Sequence, residues 1–557
     1  MNLIFGTVFY VLQIFFLRGL LISYKRLKNL KEPIDHFSIF GINIYIFTPI
    51  ICFFLLGNIT LVLNFFFSQQ IIQPYFLFLF IAVILMNFYE KFHFDTDKKN
   101  LSILYVFIPL ILFFSSYGMR LHFDATDYHL ISQNWIRSSK IVFGLSNVYA
   151  GYGWSTIYEY IQANFWFNKN FIYLHYINVS FFISFYQFLY INIFSSKNGF
   201  LKVASINLLL FGFLDNFGFG GGGNTFLLFQ TIGKPDLTSG IIFTITGLLL
   251  FKCLLFDKKI NNIEFFFISL FALFAFQLKI LNSILIFLLV PFIFIYIKRN
   301  NQSFFSILKN NLLTLMFFIF YLIKNIIVTG CVIFPISLTC ISKLSWTDKD
   351  FIKNYAEGVR LGNFGIPNLS ALNFNEWYSS WINNAYNFNV YRNFLLSLLI
   401  IVFINQFITS SYELEIQNIY FLRLFQVFSI FFFLYSGPTV RYGLGITNLL
   451  ISTLNLKKSI KSTIKNKNTN YLILLIFCIT LLGTPRLYSY KYFLSSPLTE
   501  FVVESKTGTY EKNPNGWGVV TLDPDFQCYT RINCINSPSE IKPIKLNDYI
   551  LFKPTKR

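Results

Sequence analysis

The chain has 557 residues, of which 55% are hydrophobic and only 13% are charged. A soluble domain carries about a quarter of charged residues, so this composition excludes a soluble enzyme and predicts a multi-pass helical membrane protein. The formal net charge is +20. The basic residues cluster in short connections between apolar runs and form no soluble basic domain, which argues against a nucleic-acid partner.

Apolar runs long enough to cross about 30 Å of hydrocarbon predict about fourteen transmembrane helices. The predicted spans are 3–17, 44–66, 73–89, 102–119, 171–194, 201–215, 237–256, 263–278, 281–297, 312–329, 394–409, 417–435, 440–455 and 471–484. The first run lacks the charged leader and small-residue cleavage site of a signal peptide, so we expect it to be retained. The predicted fold class is all-α, a polytopic transmembrane helical bundle.

Alternate connections between these spans are rich in Lys and Arg, from residues 18–31 near the start to residues 457–467 near the end. Basic connections remain on the cytoplasmic side, so this alternation predicts that both termini lie outside the cytoplasm. The connection 410–416, which carries two glutamates, is the exception. The segments predicted to share the outer side are the loops 120–170 and 330–392 and the tail 485–557.

The segment that most suggests chemistry is residues 120–130, Arg-Leu-His-Phe-Asp-Ala-Thr-Asp-Tyr-His-Leu, directly after the fourth apolar run. Carboxylates at the edge of a membrane are costly unless they have a partner or a function. At spacing i, i+3, Asp124 and Asp127 would share one face if this loop turns helical. We expect residues 126–138 to form a helix that lies in the membrane interface.

We predict Asp124 as a catalytic carboxylate that takes a proton from an acceptor hydroxyl or helps to hold a metal. Asp127 and His129 are predicted beside it, as catalytic residues or as co-ligands of a divalent cation such as Mg²⁺ or Mn²⁺. Structural alternatives stay open. Thr126 or Asp127 could cap the interfacial helix, and His129 could be a hydrogen-bonded structural residue.

Four basic residues run against the charge pattern because they lie at predicted outer ends of spans. They are Lys234, Lys279, Lys324 and Arg441. We predict that they bind the phosphate of a membrane-embedded lipid. The alternative is structural: the long side chains reach the interface, or pair with Asp236.

Two further outer segments are weaker signals. The glycine-rich stretch 218–223 lacks the Gly-Lys-Ser/Thr of a phosphate-binding loop, so we interpret it as a flexible re-entrant turn. The connection 330–392 carries aromatic residues that could stack on sugars, although membrane-interface anchoring is the favoured interpretation. These aromatic residues are Trp346, Trp377, Tyr378, Trp381 and Tyr386.

The seven cysteines divide into two groups. Those in predicted spans are interpreted as ordinary core residues, and they are Cys52, Cys253 and Cys478. Cys528 and Cys534 lie in the outer tail, where a disulfide is expected, and Cys331 and Cys340 could form a second one. No paired histidines lie near these cysteines, which argues against a zinc site.

A carboxylate just outside an early span, followed by an interfacial helix, resembles the GT-C superfamily of membrane glycosyltransferases. Several segments are more similar to an uncharacterised group of bacterial multi-pass membrane proteins related to that superfamily. These segments are 124–130 with Trp135-Ile136, 143–147, 234–237, Leu278-Lys279, Lys324-Asn325, Gly330 with Pro335, 438–443 and the two tail cysteines.

The resemblance covers roughly residues 100–535 and implies a GT-C-like fold with a polyprenyl-phosphate-linked sugar donor. It places activity on the outer face of a bacterial cytoplasmic membrane. Asp124 matches the first-loop catalytic carboxylate. Two departures are that Ala125 stands where many members have a second acid, and that Gly151 and Tyr152 stand where the closer group has a basic residue.

The same resemblance divides the chain into three parts. Residues 1–97 are expected to be extra transmembrane helices, 98–484 the GT-C-like core with its outer loops, and 485–557 an extracytoplasmic tail.

The hypothesis is therefore an inverting transfer of a sugar from a polyprenyl phosphate to a glycan or lipid acceptor. Asp124 would act as general base, while Lys324, Arg441 and Lys279 would hold the leaving phosphate in the same pocket. Two alternatives remain open: a flippase or transporter for a glycan lipid, and an O-antigen-type polymerase. The expected partners are membrane lipids, the lipid-linked sugar and its acceptor.

Overall fold

The structure is a computed structural model. It describes residues 2–29, 34–92, 98–121, 124–167, 171–195, 198–216, 231–232, 235–256, 260–364, 374–383, 385–407, 416–435, 442–454, 467–496, 509–514, 517–521, 528, 530–535 and 541–554. This part of the chain is mostly helical, with a few very short strands. The predicted all-α class is therefore confirmed.

The helices follow the apolar runs of the sequence. The first ten are α1 (Asn2–Lys28), α2 (Thr48–Asn64), α3 (Gln69–Leu85), α4 (Lys98–Ser102), α5 (Ile108–Phe113), α6 (Leu130–Ser138), α7 (Ile157–Gln162), α8 (Ile172–Phe194), α9 (Gly199–Asn216) and α10 (Asp236–Leu255). The next are α11 (Asn262–Leu278), α12 (Ile286–Asn300), α13 (Phe304–Asn310), α14 (Leu312–Thr329), α15 (Lys349–Phe364), α16 (Phe374–Asn383), α17 (Ala385–Phe407), α18 (Ile416–Tyr435), α19 (Leu444–Ser452), α20 (Lys467–Gly483) and α21 (Arg486–Ser495).

The strands form small local pairs. They are β1 (Ser38–Ile39), β2 (Ile42–Asn43), β3 (Arg120–Leu121), β4 (Thr231–Ile232), β5 (Tyr510–Lys512), β6 (Val519–Thr521), β7 (Cys534–Ile535), β8 (Pro543–Leu546) and β9 (Tyr549–Phe552). β3 pairs in parallel with β4, whereas β5, β6 and β7 form one three-stranded sheet of the tail and β8 and β9 a hairpin.

Seven helical stretches are long and apolar enough to cross a membrane, among the residues the structure describes. They are Asn2–Lys28, Ile44–Asn64, Gln69–Tyr89, Ile172–Phe194, Asp236–Leu255, Ile280–Asn300 and Leu312–Thr329. The bent pair Asn470–Gly483 and Arg486–Ser495 would be an eighth. Five further apolar helices have only 10–17 residues. The larger count of about fourteen would require these shorter helices to cross as well, and it stays a prediction.

The core of the bundle lies around α8 and α10. The most apolar window of α10 is completely buried and that of α8 is 89% buried, whereas that of α3 is only 11% buried. α19 approaches α10 closely at two glycines. A Cβ added to Gly240 would lie 2.8 Å from Leu444, and one added to Gly247 would lie 2.8 Å from Leu449. Small residues therefore set the distance between these two helices.

The first three helices are joined to the rest of the bundle by buried polar contacts. In α1, Arg18 is fully buried and donates from Nε to Asp35 Oδ1 at 2.9 Å. It also donates to the Asn87 side chain at 3.1 Å, at the end of α3. Nearer the start of α1, the Tyr10 hydroxyl donates to Gln187 Oε1 of α8 at 2.9 Å. These pairings offset the cost of burying Arg18, Asp35 and Tyr10 in a medium of low dielectric.

The tail and the first outer loop share a second, smaller core. Trp135 of α6 packs against Trp517 and Phe552, with ring centroids 6.3 and 6.0 Å apart. Phe143 extends the tail hairpin, since its N–H donates to Ile550 O at 2.9 Å and its carbonyl accepts from Phe552 N at 2.9 Å. The tail therefore supports the loop that carries the candidate catalytic residues.

Candidate functional site

The first outer loop turns into a π helix where the sequence predicted an α helix. Residues Ala125–His129 form this π turn, with Asp124 at its start, and α6 follows. A π turn is closed by i to i+5 hydrogen bonds, here from Leu130 N to Ala125 O, and such turns often mark functional sites. Asp124, Asp127 and His129 therefore lie in or next to a π turn, in which the spacing of side chains differs from that of an α helix.

Thr126 and Asp127, the residues suggested as caps, lie inside the π turn and not at a helix start. The residues at the starts, Asp124 for the π turn and His129 for α6, make no side-chain cap. Asp124 is half-buried, whereas Asp127 and His129 are 7% and 4% exposed. Asp124 is therefore the most accessible of the three predicted catalytic side chains.

Asp127 lies against two tyrosines of the following loop. Its Oδ2 accepts a hydrogen bond of 2.7 Å from the Tyr149 hydroxyl. Burial raises the pKa of both Tyr149 and Tyr152, and the negative charge of Asp127 raises both further. The fully buried Tyr152 hydroxyl has no hydrogen-bond partner in the described part of the chain. A Cβ on Gly151 would lie 2.4 Å from the Tyr149 ring, so glycine allows this loop to close.

His129 forms a buried pair with Glu159 of α7. The distance from His129 Nδ1 to Glu159 Oε1 is 2.5 Å, and Glu159 is 1% exposed. The second carboxylate oxygen accepts from the backbone N–H and the hydroxyl of Thr156, both at 2.6 Å. Burial raises the pKa of Glu159, but the hydrogen bond and charge of His129 and the bonds from Thr156 outweigh it, so the net pKa lies below its usual value.

Lys324 is fully buried in α14 and points at the same loop. Its Nζ donates to the Ser155 carbonyl and, at 3.0 Å, to the Asn325 side chain. The Glu159 charge acts on this ammonium group. Lys324 thus contacts the first outer loop from within the protein, and neither reaches the surface nor pairs with Asp236; its binding of a phosphate stays a prediction.

Lys279 lies at a break between two helices, after the end of α11 and before the 3-10 turn Ile280–Leu285. It forms an ion pair with Asp236 at the start of α10, and its Nζ lies 4.2 Å from the centre of the Tyr442 ring. The pairing with Asp236 is the structural alternative noted for these cations. The Lys279 side chain nevertheless keeps 15% of its surface exposed.

Tyr355 of α15 lies beside the first outer loop. Burial raises its pKa to about 12, with further upward contributions from Tyr442 beside Lys279 and from Asp127. Its hydroxyl accepts a hydrogen bond of 2.9 Å from Trp154 Nε1. Tyr355 therefore contacts the first outer loop through Trp154.

Some predicted residues cannot be placed. Lys234, Arg441 and the glycine-rich stretch 218–223 lie outside the described residues. No group of three or more His, Cys, Asp or Glu side chains that could hold a metal ion occurs in the part of the chain that is described. The described residues include the disulfides Cys528–Cys534 in the tail and Cys331–Cys340 after α14.

Glu159 is the site residue that sequence reasoning missed. Its local role was readable, because Thr156 followed three residues later by a glutamate is a capping box that predicts the start of a helix. The structure shows this capping box at the start of α7. Its pairing with His129, thirty residues earlier, could not be read from the sequence because it depends on how α6 and α7 pack.

Comparison with known protein families gives one match. A family model described as a domain of unknown function (DUF8201) matches residues 1–448, most of the chain. The chain belongs to this family. The matched region includes the π turn, Glu159, Lys279 and Lys324, and it also includes residues 1–97. No curated protein matches the chain, and no solved structure does.

Proposed function

We propose that this protein is a membrane glycosyltransferase of the GT-C type, which transfers a sugar from a polyprenyl-phosphate donor to an acceptor at the outer face of a bacterial cytoplasmic membrane. The observation that carries the proposal is the presence of two ionisable side chains that are not fully buried: Asp124, half-buried at the start of the π turn, and Lys279, which keeps 15% of its side-chain surface exposed at the break after α11. The Lys279 ammonium also lies over the ring of Tyr442.

The carboxylate and the cation would have different chemical roles. The half-buried Asp124 is the carboxylate that an acceptor hydroxyl can reach, so we assign it the role of general base. Lys279 is the accessible cation, and it would bind the donor phosphate and stabilise the charge that develops as that phosphate leaves. Lys324 is buried and would act without touching the donor. Its hydrogen bond to the Ser155 carbonyl fixes the position of the first outer loop.

Asp236 gives this assignment a testable feature. Its carboxylate already accepts from Lys279, so an arriving phosphate must compete with it. Removing the Asp236 charge should therefore tighten binding of the lipid phosphate, whereas removing the Lys279 charge should weaken it. A purely structural ion pair would lose stability in both variants and would not give opposite effects on binding.

The test uses the purified full chain in lipid nanodiscs with radiolabelled polyprenyl-phosphate-linked hexoses and outer-membrane glycan lipids as acceptors. Asp124→Asn should lower kcat by a factor on the order of 10²–10⁴, the usual contribution of a general base. Lys279→Gln should raise KM for the donor and Asp236→Asn should lower it. Asp350→Asn, an exposed acid on α15, is the matched control and should leave both constants unchanged.

The outcome also separates this proposal from its alternatives. Movement of the lipid-linked sugar across proteoliposomes without formation of a new glycosidic bond would refute a transferase and favour a flippase. Products with many added repeat units would favour a polymerase. Normal product with Asp124→Asn would remove that carboxylate from the mechanism.

A further inference from the structure

We propose that the disulfide-closed loop of residues 331–340 is a membrane anchor, whose apolar tip inserts into the lipid leaflet at which α14 ends. The partner of this surface is therefore lipid, at the boundary between headgroups and acyl chains. The orientation predicted from the basic connections makes this the outer leaflet. The inference concerns contact with the membrane and does not depend on the proposed transferase activity.

The position of the loop follows from the end of a helix that is suited to cross the membrane. α14 ends at Thr329, and Gly330 follows it in the left-handed conformation with a φ of 82°. Cys331 comes next and is bonded to Cys340. Five residues of extended chain span at most about 18 Å, so the middle of this closed loop stays within that distance of the helix end. The loop therefore lies close to the membrane surface.

The tip of the loop is apolar and exposed. Residues 331–342 contain no charged side chain, and the first charge after α14 is that of Lys343. Three aliphatic side chains of this stretch are exposed: Leu338 by 86%, Ile336 by 45% and Ile341 by 39%. Neighbouring apolar side chains exposed on one short loop are typical of a surface that contacts a membrane or a partner. Lys343 lies next to them, where its ammonium group can reach lipid headgroups.

The elements on either side of the loop favour lipid as its partner. α14, which precedes it, exposes Ile319 and Ile323 on the surface that would face the acyl chains. α15, which follows it, instead exposes polar side chains, among them Lys353, Asn354 and Glu357. The exposed residues of the loop resemble those of the span and differ from those of the water-facing helix. The loop therefore continues the lipid-facing surface of α14 beyond the end of the helix.

The backbone of the loop forms internal hydrogen bonds, which lower the cost of leaving water. Val332 N–H donates to Thr339 O at 3.1 Å, and Ile333 N–H donates to the Thr339 hydroxyl at 3.1 Å. Two bonds of 2.9 Å close the turns of the tip, from Ile336 N to Ile333 O and from Thr339 N to Ile336 O. Irregular backbone does not face lipid within the hydrocarbon core, so the depth that we propose is the interface.

The base of the loop contacts the candidate functional site. Phe334 is buried, and its ring lies edge-on to Trp154 of the first outer loop with centroids 5.4 Å apart. The same ring lies 6.0 Å from that of Tyr355 in α15. The Val332 carbonyl accepts a hydrogen bond of 3.1 Å from Asn325 of α14. An anchored tip would therefore hold the first outer loop at a fixed height above the lipid.

The test measures the depth of the loop tip by electron paramagnetic resonance on the full chain in lipid nanodiscs. Leu338 is replaced by p-acetylphenylalanine, which carries a nitroxide label, because the seven cysteines of the chain make thiol labelling ambiguous. The collision rate of the label with oxygen, which concentrates in lipid, is compared with its collision rate with a water-soluble nickel chelate. The same label at Ile319 of α14 is the lipid reference, and at the exposed Asn354 of α15 it is the water reference.

We expect the ratio of oxygen to nickel collision rates at Leu338 to exceed the ratio at Asn354 by about fivefold or more, since apolar surroundings exclude the polar chelate. Equal ratios at these two positions would overturn the proposal. Dipolar broadening that disappears on dilution with unlabelled protein would show a contact between two copies, and would overturn it as well. A label at Ile336 gives a second, independent reading of the depth. Since no substrate is needed, a protein without transferase activity would count against the proposed function alone.

Discussion

Replacing Glu159 by glutamine removes one negative charge from the interior while keeping the side-chain volume. The wild-type carboxylate accepts from His129 Nδ1 and twice from Thr156, and its charge acts on the fully buried Lys324. A glutamine has only one oxygen, so its NH₂ group must point at a donor on one side or the other. The ammonium group of Lys324 also loses its nearby countercharge.

The size of the effect follows from burial. Removing one partner of a buried ion pair costs about 3–5 kcal/mol, because the remaining charge is left uncompensated in a low-dielectric interior. The capping box adds about 1 kcal/mol when it is lost completely, but glutamine retains part of it. We therefore expect Glu159→Gln to lower the free energy of unfolding by about 3–5 kcal/mol.

The assay is equilibrium unfolding in mixed detergent micelles, followed by tryptophan fluorescence. Asp548→Asn is the surface control, because Asp548 pairs with Lys140 at 3.0 Å but its side chain is 78% exposed. An exposed pair contributes at most about 1 kcal/mol. Adding Lys324→Met to Glu159→Gln should recover part of the loss, with a coupling of about 0.5–3 kcal/mol. Equal effects of Glu159→Gln and the surface control would refute the reasoning.

Three further predictions follow from other contacts. The folded-state pKa of Glu159 lies below its ordinary value of 4.5. The stability that ionised Glu159 contributes is therefore present above pH 4.5 and is lost as the pH falls through the folded-state pKa. The free energy of unfolding should fall with pH in this acidic range in the wild type, and should fall less in Glu159→Gln. Asp35→Asn should lower the free energy of unfolding by about 3–5 kcal/mol, because Arg18 is fully buried, and a loss no larger than that of the surface control would contradict this. Gly240→Ala should cost about 1–3 kcal/mol by pressing a methyl group onto Leu444, and an unchanged thermal midpoint in detergent would show that α19 moves freely.

Local chemistry was readable at several positions. The tail sequence predicted the Cys528–Cys534 pairing that the structure contains. The alternative reading of Lys279 as a partner of Asp236 also describes what is found. These inferences could be made because each depends on a sequence pattern or on the side of the membrane on which a segment lies.

Other features depend on packing between distant segments. The sequence predicted that Asp124 and Asp127 would share one face of a helix, but the loop forms a π turn over Ala125–His129. Lys324 was predicted at the outer end of a span, and only the structure shows that it is buried against the carbonyl of Ser155. No local pattern distinguishes a π turn from an α turn, because the choice depends on where α6 must meet α7 and the tail.

The sequence alone determined that this is a helical chain with several segments suited to a membrane, because the transfer of apolar surface out of water depends on composition and run length. It also determined which residues carry charge at the edges of those segments. Only the tertiary structure decided which distant groups meet, such as His129 with Glu159 and Lys324 with the carbonyl of Ser155. The physical reason is that a buried charge pairs with a group that helix packing brings close to it. Two residues that are close in space can be far apart in the sequence.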